Sequence, residues 1–243
     1  MGEREFARVA DLSNVFGVSA VTIRNDLDVL ASRGLVRRVR GGAMPRTAPA
    51  ERPFEEAEVV SAGEKDAIGG LAAGMVSNGT SIILDVGTTT VAIAEALVRR
   101  SDIASLTVFT NSIKVALVLE PAIPRIDVVV TGGTLRALQH SLVDPLGRTI
   151  LEGLHVDVVF LGCNGIDPDG GVTNVNLPET GIKRTMLTAG RRRVVVADGS
   201  KVGRVSLAKV CSIDQVDTLV TGPSADPDVV TALRERGLDV QVA

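Results

Sequence analysis

The 243-residue chain contains no tryptophan or tyrosine, and its aromatic content is only 2%. Stacking against nucleobases is therefore a poor basis for function in most of the molecule. Its two cysteines, Cys163 and Cys211, lack any C-x-x-C or Cys/His spacing, which excludes a disulfide framework and a zinc site and fits a reducing compartment. Two histidines, His140 and His155, leave little for histidine-dependent triad or metal chemistry, so no metal, cofactor or catalytic residue is expected. No apolar run approaches the ~20 residues that cross a membrane. The charged start MGEREFARVADLS lacks the apolar stretch of a secretory signal. These absences predict a soluble cytoplasmic protein with no membrane partner.

What is present is divided unevenly. Residues 1–46 carry a net charge of +3 and the remainder −6, a basic head on an acidic body, which points the head at a polyanion. In the head, Val9, Leu12, Phe16, Val18, Ile23, Leu27, Leu30 and Leu35 recur at three- and four-residue steps broken at Gly17, the pattern of helix, turn, helix. Ser19 is placed to cap the second helix, which runs to about Ser32 before Gly34, and Thr22, Arg24 and Asn25 fall on its outer face. LVRRVRGG, residues 35–42, alternates apolar and basic residues into a glycine turn and reads as a β-wing. Residues 1–46 are thus expected to be a winged helix-turn-helix DNA-binding domain, 47–62 a proline-bearing linker, and 63–243 an α/β domain.

In that third region seven apolar runs, SIILDVG, LTVFTN, IDVVVTGG, VDVVFLGCNG, RRVVVADGS, DTLVTG and LDVQVA, alternate with helical patterns, which predicts a mostly parallel sheet covered by helices. Ligands of such sheets settle beyond the carboxyl ends of the strands. There the chain places Asp85-Val86-Gly87-Thr88-Thr89-Thr90, Thr110-Asn111-Ser112, Thr131-Gly132-Gly133, Gly162-Cys163-Asn164-Gly165-Ile166-Asp167 and Asp198-Gly199-Ser200-Lys201. The threonines after Gly87 open a helical stretch whose free N–H groups suit an anion, with Lys201 or Lys183 as its cation. Each segment is also an ordinary turn or cap; five at equivalent positions favour a small polar or anionic ligand.

VSAVTIRNDLDVLASRGLVRRVRGGA, residues 18–43, resembles the winged helix-turn-helix of the DeoR-type (DeoR/GlpR) family of bacterial sugar-metabolism repressors. The resemblance continues in order through DVGTTT, TNS, TGG, GCNGID with GGVTN, and DGSKVG, and so covers essentially the whole chain. It implies a Rossmann-like second domain similar to ribose-phosphate isomerases and CoA transferases, sensing a phosphorylated sugar that releases the protein from double-stranded operator DNA. It implies DNA contacts by Ser19, Thr22, Arg24, Asn25, Arg38 and Arg40. Around the effector it implies Asp85, Gly87, Thr88, Thr89, Asn111, Gly132, Asn164, Asp167, Glu179, Lys183 and Lys201. Asn25 stands where the family usually has Arg, and Arg40 where its wing motif has His. The family pattern also has a helix ahead of Phe6 that this chain, starting at Met1, does not carry, so an N-terminally truncated module is expected.

The rival reading is a sugar-phosphate isomerase with an accessory N-terminal segment. Against it, the loop Gly170-Gly171-Val172-Thr173 lacks the lysine that ribose-phosphate isomerases, which this domain resembles, carry there to stabilise a developing enediolate, which leaves Asp167 to bind sugar hydroxyls. Cys163 is expected to be a small buried residue, His140 a solvated loop residue, and Arg191-Arg192-Arg193 a helix-end run that offsets the dipole. Two-fold pairing into a homodimer or homotetramer is expected from half-site geometry.

Overall fold

The computed structural model describes residues 7–32, 36–39, 41–45, 51–143 and 145–243. The chain divides into two compact units, Met1–Ala50 and Glu51–Ala243.

In the first unit, β1 (Ala7–Arg8), α1 (Val9–Phe16), α2 (Ala20–Ser32), β2 (Val36–Val39) and β3 (Gly42–Pro45) follow in order, the strands pairing antiparallel as β1-β3-β2. Gly17 closes α1 in the left-handed region, at φ +65°. Ser19 caps α2 as its hydroxyl accepts from Thr22 N at 3.1 Å. Val9, Ile23, Leu27 and Ala43 form the small core, flanked by Leu12, Ala20, Leu30 and Val36. The helix-turn-helix is where the apolar period put it, and β2 with the Gly41 turn falls in the expected wing, whose second strand β3 runs on past residue 42. Gly34, the expected stop of α2, lies outside the described residues.

The second unit begins with α3 (Phe54–Val59) and α4 (Ala62–Gly74) and then alternates: β4 (Ser81–Leu84), α5 (Thr88–Arg99), β5 (Leu106–Thr110), α6 (Ile113–Leu119) and β6 (Ile126–Val130). The hairpin of β7 (Thr134–Arg136) and β8 (Ser141–Val143) follows, then α7 (Leu146–Glu152) and β9 (Val156–Gly162). After β10 (Gly165–Asp167) and β11 (Gly171–Asn174) come α8 (Leu177–Ala189), β12 (Gly190–Ala197), β13 (Ala208–Cys211), β14 (Thr218–Thr221), α9 (Pro227–Glu235) and β15 (Asp239–Val242). Seven strands form one sheet in the order β15-β14-β12-β9-β4-β5-β6, every neighbouring pair parallel. They are the seven apolar runs of the sequence. Alternation sends Ile83, Val159, Leu161, Val195 and Leu219 into one core and Ile82, Leu84, Val158, Phe160, Val194 and Val196 into the other, on opposite faces. No helix among the described residues is long and apolar enough to cross a membrane.

Residues 51–62, expected to be linker, are packed into the second unit from Glu51 on. Phe54 is fully buried in the core beneath α4 and α5. Phe54 N donates to Leu138 O at 2.9 Å, Gln139 Nε2 to Arg52 O at 2.5 Å, and Glu55 Oε1 meets His140 Nε2 at 2.8 Å. His140 is therefore half-buried, its ring edge-on to Phe54, and not a solvated loop residue. Residues 51–55 lie as a strap along the β7–β8 hairpin. The arginine run also differs from its expectation: Arg191, Arg192 and Arg193 are strand residues of β12. Arg193 pairs with Asp217 at 2.8 Å and Arg192 donates to Thr218 Oγ1 at 3.1 Å. Polar partners on the neighbouring strands, Asp157 on β9 for Arg191 and Asp217 and Thr218 at the start of β14 for Arg193 and Arg192, account for them better than a helix dipole does.

Candidate functional site

In the first unit α2 presents Thr22, Arg24 and Asn25 to solvent. Ser19 and Thr22 join hydroxyls at 2.9 Å, so both are committed to the helix start. Arg38 is held on the unit itself: its Nε pairs with Asp28 on α2 at 2.7 Å and its Nη1 donates to Gly42 O at 3.1 Å. Its charge is thereby partly neutralised before any phosphate arrives. Arg40 lies outside the described residues.

In the second unit β4 and β9 are neighbours from which the chain runs outward in opposite directions, through β5 and β6 on one side and through β12, β14 and β15 on the other. Such a switch point opens a crevice beyond the carboxyl ends. Asp85 directly follows β4 and is fully buried; its Oδ2 accepts from Gly162 N, at the end of β9, at 3.1 Å. Lys183 Nζ, also buried, donates to the same Oδ2 and to Gly162 O at 3.1 Å. Asp85 Oδ1 has no partner. At Gly162 a Cβ would stand 3.2 Å from Val86 O, a tight contact, so glycine lets the ends of β4 and β9 approach closely. Burial pushes the Asp85 carboxyl above its ordinary pKa, against Lys183. Burial works to lower the Lys183 ammonium, but Asp85 and Glu179 outweigh it and hold its pKa up.

Lys183 is placed by the local signature of α8. Asn176 caps the helix, accepting from Glu179 N at 3.1 Å, and Pro178 suits the first turn. Glu179 and Lys183, four residues apart, then share a face. Glu179 accepts from Arg136 Nη1 at 2.8 Å and Ser141 Oγ at 2.7 Å, and Arg136 continues to the mostly buried Glu51. Desolvation raises the Glu51 pKa, opposed by Arg136. The strap is in this way joined through one guanidinium to the crevice.

Thr89 and Asn111 are buried, and Thr89 Oγ1 and Asn111 Oδ1 have no partner. Thr88, Thr89 and Thr90 begin α5, the first intrahelical bond in this turn running from Val91 N to Gly87 O, so their own N–H groups point outward unspent. Gly132 and Gly133 take φ +73° and +117°; at Gly133 a Cβ would meet Val143 O at 2.4 Å, so glycine lets the β7–β8 hairpin close over this end of the sheet.

Asp85, Thr89, Asn111, Glu179 and Lys183 are therefore buried polar residues at one end of the sheet. Lys201 borders them and pairs with Asp198 at 3.4 Å. Burial would raise the Asp198 carboxyl, but Lys201 and Ser200 outweigh it and hold it low. Two expected ligands are otherwise engaged. Asn164 Oδ1 accepts from Val175 N at 3.0 Å, and Asp167 Oδ1 accepts from Asp169 N and Gly170 N at 2.9 and 2.8 Å, which commits it to the tip of the β10–β11 hairpin.

Sequence reasoning missed Arg136, Glu51, Glu64 and Lys65. Lys65 had a legible signal, since it starts the buried stripe Lys65, Ile68, Gly69, Ala72, Ala73 of α4, where a lysine is out of place.

Both cysteines are buried, and burial pushes their thiols up, Cys163 to about 11 and Cys211 to about 12. Neither is expected to react with a maleimide at neutral pH until the protein is denatured, as intact-mass spectrometry would read. Rapid native labelling would refute this account of their surroundings.

Residues 60–223 match the family model of the DeoR C-terminal sensor domain, and residues 2–47 match that of the DeoR-like helix-turn-helix domain. The chain belongs to the DeoR family. It is 34% identical over 233 residues to the HTH-type transcriptional regulator GlpR of Haloferax volcanii, covering 96% of this chain and 89% of that protein. It is 28% identical over 240 residues to the glycerol-3-phosphate regulon repressor of Escherichia coli K12, covering 99% and 94%. Among solved structures it is similar to the full-length sorbitol operon regulator SorC of Klebsiella pneumoniae, at TM-score 0.44 and 14% identity over 93% of this chain and 94% of that one. This DeoR-family chain is thus a DNA-binding transcriptional regulator with an attached sensor domain.

Proposed function

We propose that this regulator represses genes of carbohydrate metabolism in the cytoplasm, and that a phosphorylated sugar bound in the sensor crevice releases it from its operator. The observation that carries the reading is the set of buried, unpartnered polar atoms at the switch point, on Asp85, Thr89 and Asn111, beside the open first turn of α5. Buried polar groups ordinarily find partners, and hydroxyls and a phosphate would supply them. Similarity to a repressor named for a glycerol-3-phosphate regulon supports a phosphorylated effector. Asp167 and Glu179 are held by donors of the fold, and Asp85 is ion-paired to the buried Lys183, which supports sensing over catalysis. Release requires that the effector bind the DNA-incompetent state more tightly. Two-fold pairing, as a homodimer or homotetramer, would set the two reading helices one turn of DNA apart.

The test is a thermal-shift panel of sugar phosphates with turnover assayed in the same samples. A ligand at 100 times its Kd should add about 2.7 kcal/mol and emerge unchanged. A shift accompanied by consumption of the sugar would make the protein an enzyme instead. On the DNA side, Arg24→Ala should weaken operator binding by about 1–3 kcal/mol and spare random DNA, as measured by fluorescence anisotropy. An equal loss on both would assign Arg24 to the backbone.

A further inference from the structure

An anion in the crevice needs a cation, and the two lysines first suggested by the sequence are committed to carboxylates, Lys183 to Asp85 and Lys201 to Asp198. Lys65 is different. It is 5% exposed, its ammonium donates to Ala57 O at 2.5 Å, and it forms no ion pair among the described residues. Its one direct partner is a neutral carbonyl, and the carboxylates of Asp198, Glu58 and Glu64 act on it only from a distance, so its burial is costly unless a closer anion arrives.

Its position follows from how α4 lies on α5. Glu64, in the first turn of α4, accepts from Gly199 N and Ser224 N, both at 3.2 Å, which fixes that end of α4 beyond the carboxyl ends of β12 and β14. At the other end Arg100, which follows α5, donates to Ala73 O and Val76 O, which lie at and just after the end of α4. The helices are therefore parallel. Midway they touch at Gly69, where a Cβ would stand 2.6 Å from the carbonyl carbon of Ala92. One turn of about 5.4 Å toward both N-termini, Lys65 comes level with Thr88. The first turn of α5 carries the second, independent feature, the Oγ1 of Thr89, 2% exposed and without a partner. Burial lowers the Lys65 pKa and the nearby Lys201 lowers it further, while Asp198, Glu58 and Glu64 act the other way without restoring it, so an entering anion would relieve the site.

We infer that Lys65 is the phosphate-recognition residue of the sensor, receiving the effector's phosphate between its ammonium and the N-terminal turn of α5. The inference rests on the reading of the crevice as an effector site and adds the part of it that distinguishes a phosphorylated ligand from its parent sugar.

The experiment measures stabilisation of the full chain by inorganic phosphate and by the sugar-phosphate panel, for the wild type, Lys65→Met, Lys65→Gln and Lys65→Arg. Lys65→Gln keeps a donor for Ala57 O, so it separates loss of charge from loss of that hydrogen bond. Lys65→Met and Lys65→Gln are expected to fold, to lose about tenfold or more in apparent affinity for inorganic phosphate, and to discriminate poorly between a sugar phosphate and its parent sugar, while Lys65→Arg retains the response. An undiminished phosphate response in Lys65→Gln, with loss of the response in Thr89→Val, would overturn the assignment and leave the effector site standing. A wild type that neither phosphate nor any sugar phosphate stabilises would overturn both.

Discussion

Replacing Lys183 with methionine is expected to cost about 3–5 kcal/mol of folding stability, because Asp85, itself fully buried, keeps its charge and loses its counter-ion. Protonation of Asp85 offers a partial escape, since burial already pushes its pKa upward. The loss should therefore shrink as pH falls through the carboxyl's raised pKa, where the neutral acid is tolerated. Removing both charges in Asp85→Leu/Lys183→Met should restore most of the stability. Urea denaturation of the single and double variants over a pH series measures all three effects. A single-variant cost below about 1 kcal/mol would mean that water or another cation reaches Asp85.

Phe54→Ala should destabilise the second unit by a comparable ~3–5 kcal/mol. Phe54 is completely buried, and the strap that carries it is tied to the β7–β8 hairpin at Arg136, Leu138, Gln139 and His140. A residue in a true spacer would change stability by no more than about 0.5 kcal/mol. Denaturant unfolding followed by far-UV circular dichroism separates the two cases. The same residues give the strap an interest beyond stability. Glu51 is the first residue of the unit, and its partner Arg136 also holds Glu179 beside Lys183, so a ligand that draws on Arg136 leaves Glu51 buried and short of its counter-ion.

The seven strands were legible because a parallel sheet buried on both faces demands continuous apolar runs, and SIIL, LTVFT, IDVVV, VDVVFL, RVVVA, TLVT and DVQV are such runs or nearly so. The residues after them were legible for the same reason: the carboxyl ends of parallel strands collect small polar side chains. Asp85, Thr89 and Asn111 are buried there as that rule suggests. The strap was not legible, because prolines and charges around Phe54 outweigh one aromatic residue, and its burial depends on a hairpin more than 80 residues further along. Asp167 and Asn164 looked like ligands by their position after β9, but no local pattern says whether a side-chain oxygen faces a cleft or closes its own turn. The apolar stripe of α4 marks Lys65 as out of place, but what it faces depends on the parallel alignment of α4 with α5, a tertiary fact set by the contact at Gly69 that no local pattern carries.

The most direct measurement is the affinity of the protein for the promoter DNA it protects in footprinting, with and without each sugar phosphate and its unphosphorylated parent. The account predicts that at least one phosphorylated sugar weakens operator binding by about 5- to 150-fold, that its parent sugar does not, and that the compound is recovered unchanged. Operator affinity indifferent to every sugar phosphate, or conversion of the compound during the assay, would contradict it.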